Sequence, residues 1–581
     1  MNSSEFLPTT PLELRERGWE RLDVILVTGD SYIDSPFIGA AVIGGVLGSA
    51  GYRVGIIAQP GLDTGEDITR LGEPRLFWGV TGGCVDSMVA NHTASKKRRH
   101  QDDYTPGGVN DRRPDRATIV YTNLIRRHFK NTVPVVLGGL EASLRRVAHY
   151  DFWSDSLRRS ILLDAHADYL LYGMAEESVL ALAKALRAGE DLYGLRGLCR
   201  LAKEPPAGYL ELPSYERAAD DPLAFIQMFH LFYANQDPLT ARGLYQRHGE
   251  RILVHNPPAL YETHAGLDAV YALPFQRAQH PYYEQMGAVK ALETIRFALG
   301  THRGCYGECN YCSIAVHEGR TVRWRSIDSV VGEAERLAGL PGFKGYIQDV
   351  GGPTANMYGY ECAKKLRGGA CSDRRCLYPE VCPALRPDHQ AQVEMLRRIR
   401  AIPGVKKAFV ASGIRYDVVL ADRAHGKEYL KEIVGKHVSG QLKVAPEHTE
   451  GRVLARRGSL LKFKQLFDDL SRQAGKDQYL TYYMIAAHPG CDEADMRRLK
   501  EFAARELHIS PEEVQVFTPL PSTYSSLMYY TGLDPFTLEP LFVEKDAAGR
   551  ERQKRILVEK PAQAGLHGLK GSGRVPRKDK R

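Results

Sequence analysis

A chain of 581 residues, 43% hydrophobic and 25% charged, has an ordinary globular composition and is long enough for about three or four domains. Its 78 Lys and Arg residues against 70 Asp and Glu give a net charge of +8, which permits a nucleic-acid partner without requiring one. Ten cysteines, seven of them between Cys305 and Cys382, argue against a secreted disulfide framework and favour metal ligands in a reducing cytosol.

The N-terminal sequence predicts neither export nor membrane insertion. Residues 1–23 lack the apolar core of a signal peptide. The longest apolar run, residues 37–52, contains five glycines and falls short of the roughly 18 to 20 residues that a membrane span requires. We therefore predict a buried helix here, a cytoplasmic protein and no membrane partner.

The first part of the chain alternates compact apolar runs with helical patterns. This order predicts βαβ units, and thus a doubly wound α/β domain over residues 1–220. The predicted strands, several of which run into glycines, cover residues 21–29, 53–58, 76–80, 117–121, 133–137 and 169–172.

The turns after the later strands, Gly138-Gly139 and residues 173–177, make this domain resemble the cobalamin-binding domain that precedes many radical S-adenosylmethionine (radical SAM) cores. In that domain the first loop carries a D-x-H-x-x-G motif whose His ligates cobalt. Here the loop, residues 30–36, contains no His. Cobalamin bound through this loop is therefore not expected, although the carboxyl ends of the strands remain a typical ligand site.

Three further segments have unusual composition. The basic run at residues 96–100 lies in a long loop and indicates either a phosphate contact or a solvated charge cluster. Residues 221–290 are rich in aromatics, His and Pro and are predicted to form a connector between two domains. Residues 536–581 are predicted to form a basic, disordered tail.

The most informative stretch is the C-x3-C-x2-C loop formed by Cys305, Cys309 and Cys312. Three thiolates in one short loop can hold a 4Fe-4S cluster and leave one iron open for a substrate ligand. The spacing resembles the signature of radical SAM enzymes, whose cluster chelates the amino and carboxylate groups of SAM. The alternative is a zinc loop with His302 or His317 as the fourth ligand.

Residues 291–535 alternate strand and helix patterns and predict a partial (β/α)6 barrel whose active site lies at the carboxyl ends of its strands. The predicted strands are residues 294–299, 345–349, 407–411, 440–444, 478–486 and 513–518. The predicted helices are residues 326–340, 389–402, 426–435, 463–474 and 493–507.

Polar and glycine residues at the predicted strand ends resemble the SAM-binding positions of radical SAM enzymes. Gly351 and Gly352 match the Gly-Gly motif that contacts the methionine amino group. Ser412 and Arg415 match positions that hold the ribose hydroxyls and the carboxylate. Lys443 and Glu447 are either further polar contacts inside the barrel or a structural ion pair.

A second cysteine group lies in an insertion at residues 362–382. Four thiols within 21 residues can complete a zinc site or an auxiliary iron-sulfur cluster, although the spacing matches neither a zinc ribbon nor a ferredoxin. Free thiols or a redox disulfide are the alternative. The four residues are Cys362, Cys371, Cys376 and Cys382.

Taken together, the cysteine loop, Gly351-Gly352-Pro353-Thr354 and residues 443–448 resemble bacterial radical SAM proteins of the YgiQ type, a family with no established substrate. The resemblance implies a 4Fe-4S cluster, SAM, and a reductant such as flavodoxin or ferredoxin. It also implies reductive cleavage of SAM to a 5'-deoxyadenosyl radical that acts on an unknown substrate. The alternatives are an RNA-modifying enzyme of the same chemistry and a non-catalytic iron-sulfur or zinc protein.

Overall fold

The computed structural model describes residues 5–448, 457–512 and 514–559. Its N-terminal half is built on a nine-stranded sheet. In spatial order the strands are Leu210–Leu212, Leu244–His248, Arg251–His255, Leu198–Ala202, Tyr169–Leu171, Val135–Gly138, Phe77–Thr81, Val24–Thr28 and Val54–Ala58.

The last five strands in this order are parallel. Their spatial order, by position in the chain, is fifth, fourth, third, first, second. This is the flavodoxin-like, doubly wound arrangement, so the predicted α/β class is confirmed. The helices of this half are Pro11–Glu16, Gly39–Ser49, Glu66–Thr69, Ser87–Asn91, Ala117–His128, Gly139–Leu144, Ile161–Asp164 and Glu176–Ala188.

The strand predicted at residues 117–121 is wrong, because these residues begin the helix Ala117–His128. Its buried side chains include Ala117, Tyr121, Leu124 and Ile125, which recur at helical spacing and pack into the sheet's core. The run of Thr, Ile and Val at its start favours a strand only weakly, and packing overrides that preference.

The sheet continues past residue 220. Two of its strands, Leu244–His248 and Arg251–His255, form a hairpin within the segment predicted as a connector, and the second of them pairs antiparallel with Leu198–Ala202. This segment's helix Pro222–Ala234 presents Phe229 to Tyr524, with ring centroids 4.8 Å apart. Its other helices are His264–Ala272 and Pro281–Glu284, and the helices Tyr215–Asp220 and Leu292–Ile295 flank the segment.

The C-terminal half is the predicted partial barrel. Its parallel strands lie beside one another in the order in which they occur in the chain. Most neighbours pair through ladders of backbone hydrogen bonds. The second and third strands are also joined by hydrogen bonds from Val350 N to Phe409 O and from Phe409 N to Ile347 O, both 2.9 Å, and an isolated bridge between Ile414 and Val444 connects the third strand's end to the fourth strand. The strands are Ala298–Gly300, Tyr346–Ile347 with Asp349–Gly351, Lys407–Ala408, Gln441–Glu447, Tyr479–Ala486 and Val514–Val516.

All five helices predicted for the barrel are present, and a π-helical turn ends two of them. They are Ile327–Ala338, Gln390–Ala401, Gly426–Glu432 with Ile433–His437, Arg457–Gln473, and Glu493–Phe502 with Ala503–Leu507. Shorter helices are Ile314–His317, Ala363–Gly368, Tyr416–Ala421 and Tyr524–Thr531.

Part of the predicted disordered tail is a helix, Ala547–Val558, so that prediction is wrong for these residues. The helix is anchored because Leu557 is fully buried in the barrel's core, while the amide of Gln553 pairs with the backbone of Ala487 and Cys491. Residues 560–581 lie outside the described residues. Among the described helices, none has the length and apolar character needed to cross a bilayer.

Candidate active site

The cysteine loop begins directly after the first barrel strand, Ala298–Gly300, and its turns depend on glycine. Gly304 has a φ of +80°, and a Cβ on it would lie 2.6 Å from the carbonyl oxygen of Thr321. Further along, Cys312 N donates to Cys309 O at 3.0 Å, which closes a tight turn between these two cysteines.

Two sulfur atoms of the loop, those of Cys305 and Cys309, lie beside Gly307. A Cβ there would lie 3.2 Å from Cys305 Sγ, 3.6 Å from Cys309 Sγ and 3.2 Å from Arg415 Nη1, so only glycine leaves this space free. Burial raises the pKa of the Cys312 thiol, and the Cys309 and Cys305 thiols raise it further. Three cysteines in one short loop, two of them with their sulfurs beside a guanidinium, fit a shared metal cluster, which would bind them all as thiolates.

The neighbouring histidine does not complete a zinc site. His302 is buried, and desolvation lowers its pKa to about 4. Its Nδ1 lies 2.8 Å from Thr301 Oγ1 and its Nε2 lies 3.0 Å from the carbonyl oxygen of Thr354. Because both nitrogens have partners, His302 is not free to act as a fourth ligand. The other candidate, His317, points its Nδ1 at Ser143 Oγ, 3.1 Å away in the N-terminal half.

The second barrel strand delivers Gly351 and Gly352 to the same site, and both positions are too tight for a side chain. A Cβ at Gly352 would lie 2.6 Å from the ring of His302 and 2.8 Å from its carbonyl oxygen. A Cβ at Gly351 would lie 3.1 Å from Ser412 Oγ. The backbone of these two glycines therefore packs closely against His302 and Ser412. It also lines a cavity, and no side chain of its own shields it from that cavity.

Ser412, at the end of the third strand, is held by an acid that the sequence interpretation left without a role. Its hydroxyl donates to Asp349 Oδ2, and its backbone N lies 3.2 Å from Asp349 Oδ1. Ala411 N donates to the same oxygen at 2.8 Å. Asp349 stands two residues before Gly351, and this closeness in sequence to the Gly-Gly motif was the signal from which its place in the site could have been predicted.

Arg415 lies under the cysteine loop. Its guanidinium pairs with Asp417 through two nitrogens, and its backbone N donates to Asn356 Oδ1 at 2.8 Å. The nearby Asp417 carboxylate outweighs desolvation and raises the arginine's pKa, to which the Cys309 and Cys305 thiols also contribute. The guanidinium is therefore a fixed positive charge beside the cysteines.

Lys443 and Glu447, the two residues of the fourth strand that were predicted to bind SAM, lie at different places along the strand. Leu442 and Val444 pack in the core against the helices, so Lys443 between them faces the inside of the partial barrel, with Nζ 6.0 Å from the ring centroid of Tyr483. Glu447 is buried at the strand's end with a φ of +66°. The adjoining residues 449–456 lie outside the described residues. The SAM-binding roles of Lys443 and Glu447 stay predictions.

One cavity of about 560 Å³ connects the two halves of the protein. Its walls are mostly apolar and lie at the carboxyl ends of both sets of parallel strands. From the N-terminal sheet it is lined by Thr28, Thr81, Gly139, Gly173 and Glu176, and from the barrel by Gly300, Arg303, Ser313, Asp349, Gly351, Gly352 and Ser412. The cysteine loop runs between Arg303 and Ser313, so it borders this cavity.

An ion pair fastens the cysteine loop to the N-terminal half. Arg303 pairs with Glu176, and their side chains are only 12% and 8% exposed. The attraction of Glu176 raises the pKa of Arg303 despite its burial. Sequence reasoning missed this pair because the two residues are 127 positions apart in the chain.

The loop that carries a cobalt-binding His in cobalamin domains is closed differently here. Asp30 pairs with Arg113, which also pairs with Asp102, and Cys84 N donates to Asp30 Oδ2 at 2.6 Å. Both partners of the buried Asp30–Arg113 pair are at most 1% exposed. The long loop between the third strand and helix Ala117–His128 therefore packs over this edge of the sheet and ties down the residues of the first loop.

The basic run at residues 96–100 makes contacts within the chain. Lys96 lies 4.7 Å from the ring centroid of Phe152, and Arg98 pairs with Asp115 at 3.5 Å. Arg99 Nε lies 3.2 Å from the carbonyl oxygens of Val89 and His92. These contacts give three cations of the run a structural use, and a nucleic-acid partner stays a prediction.

The chain is similar along nearly its whole length to proteins of one family. It is 55% identical over 562 residues to a UPF0313 protein from Fusobacterium nucleatum, covering 96% of this chain and 99% of the relative. The chain belongs to the UPF0313 family. A UPF0313 protein from Thermotoga maritima is 48% identical over 561 residues, covering 95% of this chain and 98% of that protein. Residues 6–298 match the family model described as Radical SAM N-terminal, so the radical SAM interpretation is confirmed.

Solved structures give a more distant likeness to this UPF0313 protein. The radical SAM methyltransferase TsrM from Kitasatospora setae, solved with cobalamin and a [4Fe-4S] cluster bound, has a TM-score of 0.48 at 15% identity, covering 87% of this chain and 77% of TsrM. The cobalamin-dependent SAM radical enzyme OxsB, solved with aqua-cobalamin and SAM bound, has a TM-score of 0.48 at 12% identity, covering 89% of this chain and 56% of OxsB.

Proposed function

We propose that this protein is a radical SAM enzyme that holds a 4Fe-4S cluster through Cys305, Cys309 and Cys312 and reductively cleaves SAM to act on a substrate not yet known. The observation that carries the proposal is the placement of the Cys305 and Cys309 sulfurs beside Gly307, in a loop that also contains Cys312 and borders the cavity reaching the Gly351-Gly352 strand end. When bound, the cluster and SAM supply the chemistry, in which one electron splits SAM into methionine and a 5'-deoxyadenosyl radical.

The strand ends would bind SAM through backbone and side-chain groups that are already fixed. Gly351 and Gly352 would let the methionine part of SAM approach the backbone closely. Ser412 and Asp349, joined by a hydrogen bond and both lining the cavity, would contact the ribose hydroxyls. A carboxylate accepts hydrogen bonds from hydroxyl groups strongly, because the acceptor is charged.

Arg415 would stabilise the site electrostatically. A cluster with three thiolates and a bound carboxylate is anionic, and the guanidinium next to Gly307 supplies a compensating charge. Asp417 fixes the orientation of this guanidinium through two hydrogen bonds. Lys443, on the inner face of the barrel, and Glu447, at its strand's end, would add polar contacts farther from the cluster.

The substrate would bind between the cluster and the N-terminal sheet. The cavity extends from the cysteine loop to the ends of the parallel strands, which is where open α/β sheets bind ligands. Its walls are largely apolar, so a substrate with an apolar part would displace water and shield a radical from quenching. An external one-electron donor such as flavodoxin or ferredoxin would reduce the cluster.

Cobalamin has no step in this proposal. The first loop contains no His, and its Asp30 is occupied by Arg113 and by the backbone of Cys84. The N-terminal domain would thus serve as one wall of the substrate cavity. The basic run is engaged within the chain, so no observation favours RNA over a small substrate.

The test is SAM cleavage by anaerobically reconstituted protein. With dithionite and SAM, the wild type is expected to form 5'-deoxyadenosine, while Cys309→Ala forms none because its cluster loses a ligand. Cys199→Ala is the matched control, since Cys199 is a buried cysteine on a strand of the N-terminal sheet. No product from either protein would support the non-catalytic alternative, and equal product from both would show that Cys309 does not hold the cluster that cleaves SAM.

A further inference from the structure

The four cysteines of the insertion line one cavity. Cys362 precedes the helix Ala363–Gly368, and Cys371, Cys376 and Cys382 follow it in irregular chain. The backbone N of Cys382 donates to the carbonyl oxygen of Cys376 at 2.8 Å, which closes the second part of the loop. All four residues border a cavity of about 350 Å³. Cysteines that merely fill a core pack without such a space between them.

Positively charged side chains predominate around this cavity. Lys365, Arg374 and Arg375 also line it, against one acid, Asp373. Lys365 is only 3% exposed, and its Nζ lies 3.8 Å from Cys376 Sγ. Four thiolates around a zinc ion or an oxidised 4Fe-4S cube leave a net charge of about −2, which these cations would balance.

The spacing of the sulfur atoms indicates which metal centre fits. In a zinc site with Zn–S bonds of about 2.3 Å, tetrahedral geometry puts the sulfurs about 3.8 Å apart. Among the described residues, no three of the four cysteine sulfurs lie within 4.8 Å of one another. The thiols as they lie are thus not gathered closely enough for a single zinc ion, whereas the cavity of about 350 Å³ that they line has room for an iron-sulfur cube.

The insertion is anchored to the rest of the protein on two sides. Arg375 Nη1 donates to the carbonyl oxygen of Glu308 at 3.0 Å and to Asn310 Oδ1 at 2.6 Å, both in the first cysteine loop. Ala370 N donates to Asp237 Oδ2 at 3.0 Å. Cys362 and Cys376 also belong to the same small apolar cluster as Cys305. The second cavity thus lies next to the first cluster loop and is held in place by it.

We propose that Cys362, Cys371, Cys376 and Cys382 bind a second iron-sulfur cluster, a 4Fe-4S cube with no open iron. This site is independent of SAM cleavage, because it uses none of the three cysteines of the first loop. It lies beside that loop, with Arg375 in contact with both.

The experiment counts iron in three forms of the full-length protein after anaerobic reconstitution with iron and sulfide. Wild type should hold about eight irons per chain, and Cys305→Ala/Cys309→Ala/Cys312→Ala about four. A protein with Cys376→Ala and Cys382→Ala should also fall to about four. Mössbauer spectra of the triple variant should show a 4Fe-4S cluster, although this variant forms no 5'-deoxyadenosine.

Three outcomes would overturn the second cluster. They are a triple variant that binds no iron, one zinc ion per chain in the triple variant, or a disulfide among the four cysteines found by mass spectrometry of wild type. If the double variant does not fold, Cys376→Ser replaces it, and loss of about four irons relative to wild type is again expected. A failure of SAM cleavage in wild type with eight irons bound would refute the proposed function and leave the second cluster standing.

Discussion

Replacing Glu176 with Gln tests whether the N-terminal half holds the cysteine loop in place. Glu176 begins the helix Glu176–Ala188 and pairs with Arg303, which stands two residues before Cys305. Glutamine keeps the size of the side chain and removes its charge. The Arg303 guanidinium, 12% exposed, would then be buried without its partner.

The expected loss follows from burial. At an effective dielectric constant near 20, two unit charges about 4 Å apart attract by about 4 kcal/mol. Removing one partner of a buried pair costs about 3 to 5 kcal/mol, because the other charge stays desolvated. Glu318, whose carboxylate accepts from Gly304 N at 2.9 Å, interacts with Arg303 and would offset part of this. We therefore expect Glu176→Gln to lower the free energy of unfolding by about 3 kcal/mol, the lower end of this range.

The assay is anaerobic urea unfolding of the reconstituted protein, followed through the visible absorbance of its iron-sulfur clusters. Glu176→Gln should lower the free energy of unfolding by about 3 kcal/mol and release iron faster during dialysis. The matched control is Glu177→Gln, since Glu177 is the exposed neighbour and its loss should cost under about 0.5 kcal/mol. Identical unfolding and iron retention in the two variants would refute the role assigned to the ion pair.

Three other predictions concern the strand ends and pH. Gly352→Ala should destabilise the protein by about 1 to 3 kcal/mol, because the added Cβ would meet the ring and backbone of His302. Gly413→Ala is the control, since a Cβ there meets nothing within 4 Å and should not destabilise the protein. Equal urea midpoints for the two variants would contradict this prediction. Ser412→Ala should raise the KM for SAM by up to about tenfold in the 5'-deoxyadenosine assay, since a hydrogen bond between neutral hydroxyl groups contributes about 0.5 to 1.5 kcal/mol. An unchanged KM would exclude its role. Burial, then Arg145, lowers the pKa of His149 from 6.5 to about 4. Its contribution to stability is therefore complete above pH 6.5 and falls by up to about 3 kcal/mol as the pH drops to 4. His149→Phe should reduce the pH dependence of the free energy of unfolding in urea over this range, and an unaltered dependence would argue against this role.

The sequence predicted the barrel well because its signals are local. Each of the six predicted strands has a counterpart in the structure, and special residues follow several of them, as Gly351 follows Val350 and Ser412 follows the strand Lys407–Ala408. The C-x3-C-x2-C spacing placed three thiols together for the same reason, since a short loop leaves them few other arrangements.

Errors arose where packing decided the structure. Residues 117–121 carry Thr, Ile and Val, but the buried positions Ala117, Tyr121, Leu124 and Ile125 follow a helical period. The helix Ala547–Val558 has a polar sequence and is ordered by contacts with the barrel, which composition does not reveal.

Long-range pairs were not predictable from one sequence. Glu176 and Arg303, Asp30 and Arg113, and Arg375 and the first cysteine loop are joined only in the folded chain. Spacing motifs carry no information on such contacts, because each partner alone is an ordinary charged residue. The Glu176–Arg303 pair connects the cysteine loop to the N-terminal half, and Arg375 connects it to the insertion.

The central claim is that SAM binds the open iron of a cluster held by Cys305, Cys309 and Cys312. The most direct measurement is low-temperature EPR of the dithionite-reduced protein with Cys376→Ala and Cys382→Ala, before and after SAM is added. We predict that SAM changes the g values of the remaining cluster. An identical spectrum with and without saturating SAM would contradict it.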